Sequence, residues 1–269
     1  MINAPSTRVC GVSQRQPGER SMDVFYEIHS DLPREGPGRD EDTARALRLA
    51  LPHLPEAPRI LDIGCGPGMQ TAVLAQQTRG SIVALDRHPP FLEQLTVRAT
   101  QAGIQDRIQT VEGTMTDMPF EPATFDLIWA EGAIYVMGYE AGLHAWRPLL
   151  KPGGCMAVTE LTWLVDDPRP EPRTFWREAY PNMRGLKDNQ RMIAEAGYRE
   201  LGHFQLPPEA WWTHYYEPIE ARIAQLEGRY ADDPVALQTL AEERAEIDLF
   251  REHSDQYSYV FYVMQRIEP

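Results

Sequence analysis

The clearest chemical signal in the sequence is a glycine-rich turn with an acid beside it. The turn Gly64-Cys65-Gly66-Pro67-Gly68 follows an apolar run, and Asp62 stands two residues before its first glycine. Glycine lets the backbone approach a ligand, and a helix that begins after such a turn offers free N–H groups. A nicotinamide dinucleotide fingerprint would read GxGxxG or GxGxxA, but Met69 stands at its last position. Because a carboxylate here repels phosphate and attracts cations, the pattern favours a small, positively charged cofactor.

A second acid, Asp86, ends the next apolar run, eighteen residues beyond Gly68. An acid at the end of this strand can accept hydrogen bonds from both hydroxyl groups of a ribose. The two acids and the turn together therefore predict a site for a cofactor that contains a ribose and a positive charge.

Three further residues are candidates for handling a proton or a substrate. Glu131 follows the fourth apolar run, at the edge where open α/β sheets bind their ligands. It could orient an amine, take up a proton or cap the next turn. Glu160 near the end of the fifth run has a similar, weaker claim. In the aromatic segment 211–216, His214 is the one side chain that can act as a base near neutral pH. It could take up a proton, bind the substrate or belong to the core.

The elements that position these residues alternate along the chain. Short runs rich in Val, Ile and Leu are separated by amphipathic helical segments, which is typical of a parallel sheet covered on both faces. The last run is apolar on both sides, so we expect it inside the sheet. The sequence predicts an α/β fold, a Rossmann-like, seven-stranded, mostly parallel sheet with helices on both faces. The predicted strands are 59–64, 81–86, 107–113, 125–131, 154–161, 198–206 and 257–267.

The remaining segments are predicted to form a cover over the sheet edge. The longer insert, between the sixth and seventh strands, contains two charged helical patterns and predicts a helical lid. Tyr26, His29 and the turn 36–38 are expected to form the N-terminal part of the cover, so deletion of residues 1–40 should change cofactor affinity and turnover. The predicted parts are a mobile tail (1–21) and a single domain (22–269), with an N-terminal helical cover (22–58), a cofactor-binding half (59–161) and substrate-side inserts (162–186 and 207–256).

Composition excludes several classes of partner. The chain has 269 residues and a formal net charge of −14. Clustered Lys and Arg are needed to bind nucleic acid or an anionic membrane, and the sequence has no such cluster. Residues 207–256 alone carry twelve acids against four arginines, so the predicted lid is acidic. We therefore expect no nucleic-acid or membrane partner and a small acceptor that is neutral or cationic.

Other sequence features bear on location and metal binding. No apolar stretch is long enough to span a membrane, and the N-terminal residues lack the apolar core of a signal peptide. The three cysteines, Cys10, Cys65 and Cys155, are far apart and form no CxxC pair. This spacing predicts neither a metal site nor a disulfide framework and favours the reducing cytoplasm. Homo-oligomerisation stays open.

With these motifs in place, the chain resembles the class I S-adenosylmethionine-dependent methyltransferases over 59–161, and more loosely over 188–267. Within that family it is similar to bacterial small-molecule members that share its WAEGAIY-like and WTHYY-like segments. Many members have Asp where Thr114 stands, so adenine recognition would depend on Thr114, Asp117 or backbone atoms. The resemblance implies cofactor contacts from Asp62, Gly64, Cys65, Gly66, Gly68, Gln70, Asp86, Arg87, Gly113, Thr114, Met115, Ala130 and Glu131. The substrate-side candidates are Tyr26, Tyr135, Glu160, Trp163, Trp212, His214 and Tyr215.

The resemblance implies in-line transfer of a methyl group from S-adenosylmethionine to a small molecule. Such a donor is already activated, so positioning supplies much of the acceleration, and a base is needed only for a protonated acceptor. The acceptor atom, whether N, O, S or C, is left open. The alternatives are a non-catalytic protein that binds S-adenosylmethionine or S-adenosylhomocysteine, a nicotinamide-dependent oxidoreductase and a protein-modifying methyltransferase.

Overall fold

The computed structural model describes residues 18–268, apart from the side chain of Glu19. Most of the predicted tail, residues 1–17, therefore lies outside the described residues, together with Cys10. All seven predicted strands are present, and a further strand of two residues joins them. The strands are β1 (Arg59–Ile63), β2 (Ser81–Asp86), β3 (Ile108–Glu112), β4 (Phe125–Ala130), β5 (Leu150–Trp163), β6 (Arg184–Gly185), β7 (Tyr198–Gln205) and β8 (Tyr257–Arg266).

The strand order is β3-β2-β1-β4-β5-β8-β7, with β6 paired to β5. β8 is antiparallel to both of its neighbours, and every other pairing is parallel. The order reverses between β1 and β4, which is the point where open α/β sheets form a ligand crevice. The mostly parallel sheet and the internal position of β8 confirm the fold predicted from the sequence.

The helices lie before the sheet, between its strands and in the long insert. β5 begins at Leu150, four residues before the predicted strand 154–161, and its pairing with β4 is irregular there: Phe125 pairs with Leu150, but Leu127 pairs with Cys155. The helices are α1 (Glu19–Ile28), α2 (Asp40–Ala50), α3 (Met69–Gln77), α4 (Pro89–Gln101), α5 (Tyr139–Trp146), α6 (Pro170–Ala179), α7 (Leu186–Glu195), α8 (Glu209–Trp211), α9 (Glu217–Arg229) and α10 (Pro234–His253).

The insert between β7 and β8 is helical, as predicted, and it belongs to the hydrophobic core. It consists of α8, a π-helical turn over Trp212–Tyr216, α9 and α10. Trp211 is fully buried and stacks on Phe250 of α10, with ring centroids 4.2 Å apart. The same core cluster contains Val24 and Ile28 of α1. The insert and α1 are therefore packed together over one face of the sheet.

Helix α1 begins at Glu19, within the range predicted as a tail. Its buried residues, Val24 and Ile28, pack in the same cluster as the α10 residues Leu240 and Ile247. Helix α1 is positioned by its contacts with α10, which lies more than two hundred residues away in the chain. The sequence near α1 gives no sign of these contacts.

Candidate functional site

A cavity of about 330 Å³ lies at the carboxyl ends of the central strands. Its floor is the glycine turn and the segments that follow β2, β3 and β4, and its cover is α1, residues 34–37 and Tyr215 of the insert. Its size falls in the range of small-molecule sites. Thirteen of the predicted site residues line it: Tyr26, Gly64, Cys65, Gly66, Gln70, Asp86, Arg87, Gly113, Thr114, Met115, Glu131, Tyr135 and Tyr215.

The glycine turn has the geometry that requires glycine at two of its positions. Gly64 has a φ of +69°, and a Cβ there would lie 2.7 Å from the Cβ of Ala133. Gly68 has a φ of +85°, and a Cβ there would lie 2.2 Å from Cδ1 of Leu95. The N–H groups of Gly64 and Cys65 both donate to the carbonyl oxygen of Leu85. The turn is thus held against β2, with its backbone facing the cavity.

Asp62 lies behind the glycine turn and does not line the cavity. Its Oδ2 accepts a hydrogen bond of 2.5 Å from Thr71 Oγ1, and Oδ1 is buried with no partner among residues 18–268. Burial raises the pKa of Asp62 to about 7. Gly68 and Ala130 are likewise absent from the cavity lining. Their predicted cofactor contacts stay predictions.

Asp86 stands at the edge of the cavity, and two backbone donors fix its orientation. Oδ2 accepts from the N–H of Gly66 at 2.9 Å, and Oδ1 accepts from the N–H of His88 at 2.9 Å. Burial raises the pKa of this carboxyl group, while the two N–H donors act in the opposite direction. The end of β2 and the glycine turn therefore form one rigid unit that presents a carboxylate to the cavity.

Glu131 lines the cavity, but its carboxylate is already occupied by three donors. Oε1 accepts from Thr43 Oγ1 at 2.7 Å and from Trp129 Nε1 at 2.8 Å, and Oε2 accepts from Arg34 Nη1 at 3.1 Å. Burial raises the pKa of Glu131, and Arg34 lowers it. This geometry favours an orienting role for Glu131 over proton transfer.

Arg34 is a site residue that the sequence analysis missed. Its side chain is only 4% exposed, and it bridges Glu131 to Asp40, whose Oδ1 lies 2.8 Å from Nη2. The Nε–H group is buried and has no partner among the described residues. A lone arginine in a polar loop carries no motif, so only its place between two acids distant in the chain identifies it.

His29 forms a buried ionic cluster in the cover of the cavity. Nδ1 lies 3.2 Å from Oε2 of Glu35, and Nε2 lies 3.7 Å from Oε2 of Glu243 in α10. The ring stacks on Phe25 at 4.2 Å. Burial alone lowers the pKa of His29, but the pairing with Glu243 and Glu35 outweighs it and raises the pKa to about 9. This residue therefore carries a positive charge at neutral pH.

The raised pKa of His29 predicts a pH-dependent stability. The stabilisation should be fully present below about pH 6.5, the pKa of unfolded histidine, and should disappear as the pH rises through about 9. Replacement of His29 by glutamine should cost on the order of 3 kcal/mol of unfolding free energy at the acid end of this window. Urea unfolding of both proteins across the window measures the difference. A difference that stays constant with pH would contradict the assignment.

An aromatic stack covers the Asp86 side of the cavity. The ring of Tyr26 lies parallel to that of His88, with centroids 4.9 Å apart and an interplanar angle of 4°. Arg87 Nη2 donates to the Tyr26 hydroxyl at 3.5 Å. Through Tyr26, helix α1 directly contacts Arg87 and His88, the two residues that follow Asp86.

Four substrate-side candidates do not line the cavity. Glu160 is buried and accepts a 2.7 Å hydrogen bond from Tyr180, and burial raises its pKa to about 8. Trp163 packs edge-on against Tyr257. Trp212 and His214 lie in the same helical turn as Tyr215. Trp212 packs against Tyr216 and Phe250, and of these three residues of the turn only Tyr215 lines the cavity. The sequence pattern placed this segment at the site but did not show which of its side chains faces inward.

Two other kinds of feature are absent from residues 18–268. These residues contain no cluster of three or more His, Cys, Asp or Glu side chains that could hold a metal ion. The same residues include no helix that is both long enough and apolar enough to cross a membrane.

Comparisons with known proteins point to one family. Residues 60–154 match the family model of a methyltransferase domain. The sterol 24-C-methyltransferase erg6 of Aspergillus fumigatus is 29% identical over 174 residues, which cover 61% of this chain and 46% of that protein. The erythromycin 3''-O-methyltransferase of Saccharopolyspora erythraea is 33% identical over 111 residues, which cover 39% of this chain and 35% of that protein. The chain thus spans about half or less of the length of these two relatives.

The fold comparison covers nearly the whole chain. A methyltransferase from Geobacter sulfurreducens, solved in complex with S-adenosyl-L-homocysteine, superposes with a TM-score of 0.76 at 18% identity, covering 90% of this chain and 97% of that one. The sheet order, the cavity at its reversal point and the matched domain define a Rossmann-like methyltransferase fold. The matched domain over residues 60–154 and the shared fold support the resemblance to the class I S-adenosylmethionine-dependent methyltransferases that the sequence motifs predicted.

Proposed function

We propose that this protein transfers a methyl group from S-adenosylmethionine to a small molecule. The observation that carries the proposal is the cavity in which the glycine turn, Asp86 and the cover formed by α1 meet at the reversal point of the sheet. The family match supports the reaction type. The relatives are named for methylation of a sterol carbon and of an erythromycin oxygen, so they support a small acceptor and leave its atom open.

The residues of the cavity fit this methyl donor. Asp86 would accept hydrogen bonds from the two ribose hydroxyls, and the backbone of the glycine turn would contact the amino-acid part; both line the cavity. Arg34 lines the same cavity, and Thr114 and Met115 would form its wall on the predicted adenine side. When bound, the donor supplies a methyl group on a positively charged sulfur.

The chain itself contributes positioning and exclusion of water. Tyr26 and Tyr215 cover the cavity from two separate elements, and Glu131 is held rigidly by Arg34, Thr43 and Trp129. Holding two reactants in line can supply up to ~7–11 kcal/mol of the barrier. A closed site also disfavours hydration of the sulfonium charge, which disperses during the transfer. We propose on the same grounds that α1 and the insert form a lid.

Titration calorimetry with S-adenosylhomocysteine, followed by a methyl-transfer assay with labelled donor and a panel of small nucleophiles, tests the proposal. We expect tight binding and turnover of at least one class of acceptor. Binding without turnover of any acceptor would favour the alternative of a non-catalytic binding protein. No binding at all would contradict the proposal.

Tyr26 of α1 stacks on His88 beside Asp86, so we expect the Tyr26 ring to strengthen cofactor binding. Replacement of Tyr26 by alanine should weaken S-adenosylhomocysteine binding up to about tenfold, because an aromatic pair is worth roughly 0.5–1.5 kcal/mol. Tyr26→Phe keeps the ring and should bind within about threefold of the original protein, since each tenfold change requires about 1.4 kcal/mol. Equal affinities of all three proteins in calorimetry would show that α1 does not cover the cofactor.

The location and the charge of the acceptor are also proposals. Cys65 and Cys155 are buried free thiols, which supports the cytoplasm. The acidic insert supports a neutral or cationic acceptor, and the composition supports the absence of nucleic-acid and membrane partners.

A further inference from the structure

The cover of the cavity contains a three-residue ionic cluster, Glu35–His29–Glu243. Glu35 and His29 line the cavity, and Glu243 lies behind His29 in α10. Side-chain exposure is 3% for His29 and 4% for Glu243. Oε1 of Glu35 and Oε1 of Glu243 are buried, and neither has a hydrogen-bond partner among the described residues.

This cluster has one negative charge in excess. Two carboxylates share one imidazolium. Of the two arginines that line the cavity, Arg34 is paired with Glu131 and Asp40, and Arg87 donates to the Tyr26 hydroxyl. The Glu35 side chain is 21% exposed, and a charge that is mostly withdrawn from water is normally paired. A positively charged ligand group next to Glu35 would neutralise the cluster, whereas an alcohol would leave the excess charge in place.

The rest of this wall suits a cation as well. Aromatic rings of Phe25, Tyr135 and Tyr215 line the same cavity, and ring faces attract ammonium groups. Glu35 also approaches the glycine turn: its Cγ lies 3.6 Å from the position that a Cβ would take at Gly66.

We propose that the acceptor is an amine that enters as an ammonium ion with its nitrogen next to Glu35, and that the Glu35–His29–Glu243 cluster takes up its proton. This inference depends on the proposed methyl transfer and names its acceptor class. Proton uptake makes the buried cluster neutral, and burial raises the pKa of Glu35, which favours the protonated form.

The reaction balances without a further reactant. The ammonium proton passes to the Glu35 carboxylate, and the freed lone pair of the nitrogen forms the bond to the methyl carbon. The carbon–sulfur bond breaks, and its electron pair stays on sulfur, which becomes a neutral thioether. The methylated amine leaves as a cation, and the proton on Glu35 returns to solvent.

Binding measurements on the S-adenosylhomocysteine complex test the charge preference directly. n-Butylammonium and n-butanol, which share a carbon skeleton, are titrated into the complex. We expect the cation to bind at least tenfold more tightly than the alcohol. Glu35→Gln should weaken binding of the cation about tenfold, Glu35→Asp should restore most of it, and the exposed control Glu121→Gln should leave it unchanged.

Turnover gives the second measurement. Pairs of amines and alcohols with matched skeletons are incubated with labelled donor, and we expect product only from the amines. The inference is overturned if n-butylammonium binds no better than n-butanol, if Glu35→Gln binds it as well as the original protein, or if alcohols are methylated and amines are not. Failure to bind S-adenosylhomocysteine would instead overturn the proposed function, so the two failures are distinguishable.

Discussion

Replacement of Asp86 by alanine is expected to weaken binding of S-adenosylhomocysteine at least about 100-fold. Hydrogen bonds to a charged acceptor contribute roughly 1.5–3 kcal/mol each, and two ribose hydroxyls would lose theirs. The substitution also removes the acceptor of the Gly66 and His88 N–H groups, so the glycine turn loses its link to the end of β2. Titration calorimetry on both proteins measures the effect.

Asp106→Ala is the matched control for this prediction. Asp106 is an exposed acid in the connection before β3 and is absent from the cavity lining. We expect its substitution to leave the dissociation constant unchanged. A dissociation constant of Asp86→Ala within about threefold of that of the original protein corresponds to well under 1.4 kcal/mol. Such a result would show that Asp86 does not bind the cofactor.

Replacement of Arg34 by methionine is expected to destabilise the fold by about 3–5 kcal/mol. The side chains of Arg34 and Glu131 are only 4% and 5% exposed, so the substitution leaves Glu131 as a buried charge without its cation. Methionine keeps most of the apolar volume of the arginine stem, which limits the contribution of lost packing. Urea unfolding followed by circular dichroism measures the change.

Two further variants separate the charge effect from a general loss of stability. Arg34→Met combined with Glu131→Gln removes the unpaired charge and should recover much of the lost stability. Arg79→Met breaks an ion pair whose side chains are 80% and 78% exposed, and such pairs are worth roughly 0–1 kcal/mol. A loss in Arg34→Met no larger than that in Arg79→Met would contradict the role assigned to the buried pair.

The part of the cavity wall formed by the glycine turn and Asp86 was predictable because its signals are local. The apolar runs that became β1 and β2 have the length and the Val, Ile and Leu content of buried strands, the turn 64–68 follows β1, and Asp86 ends β2. The position of the cavity followed from the same pattern, since ligands of open α/β sheets bind at the carboxyl ends of their strands.

The cover was less predictable because it depends on contacts between distant residues. Arg34 and Glu131 are 97 residues apart, and nothing in the sequence around either residue indicates that the two side chains pair. His29 was expected in the cover, but its pairing with Glu243 requires α1 to pack on α10. The segment 211–216 was expected beside the site because it follows the carboxyl end of the sixth predicted strand, but the sequence did not show that Tyr215 lines the cavity and His214 does not.

The claim that this protein binds S-adenosylmethionine, and not a nicotinamide dinucleotide, is tested most directly by thermal unfolding in the presence of two ligands. S-adenosylhomocysteine should raise the melting temperature in a concentration-dependent way, because a ligand that binds only the folded state stabilises it. The same concentration of NAD should leave the melting temperature unchanged, since Asp62 and Met69 depart from the dinucleotide fingerprint. Stabilisation by NAD without stabilisation by S-adenosylhomocysteine would contradict the account.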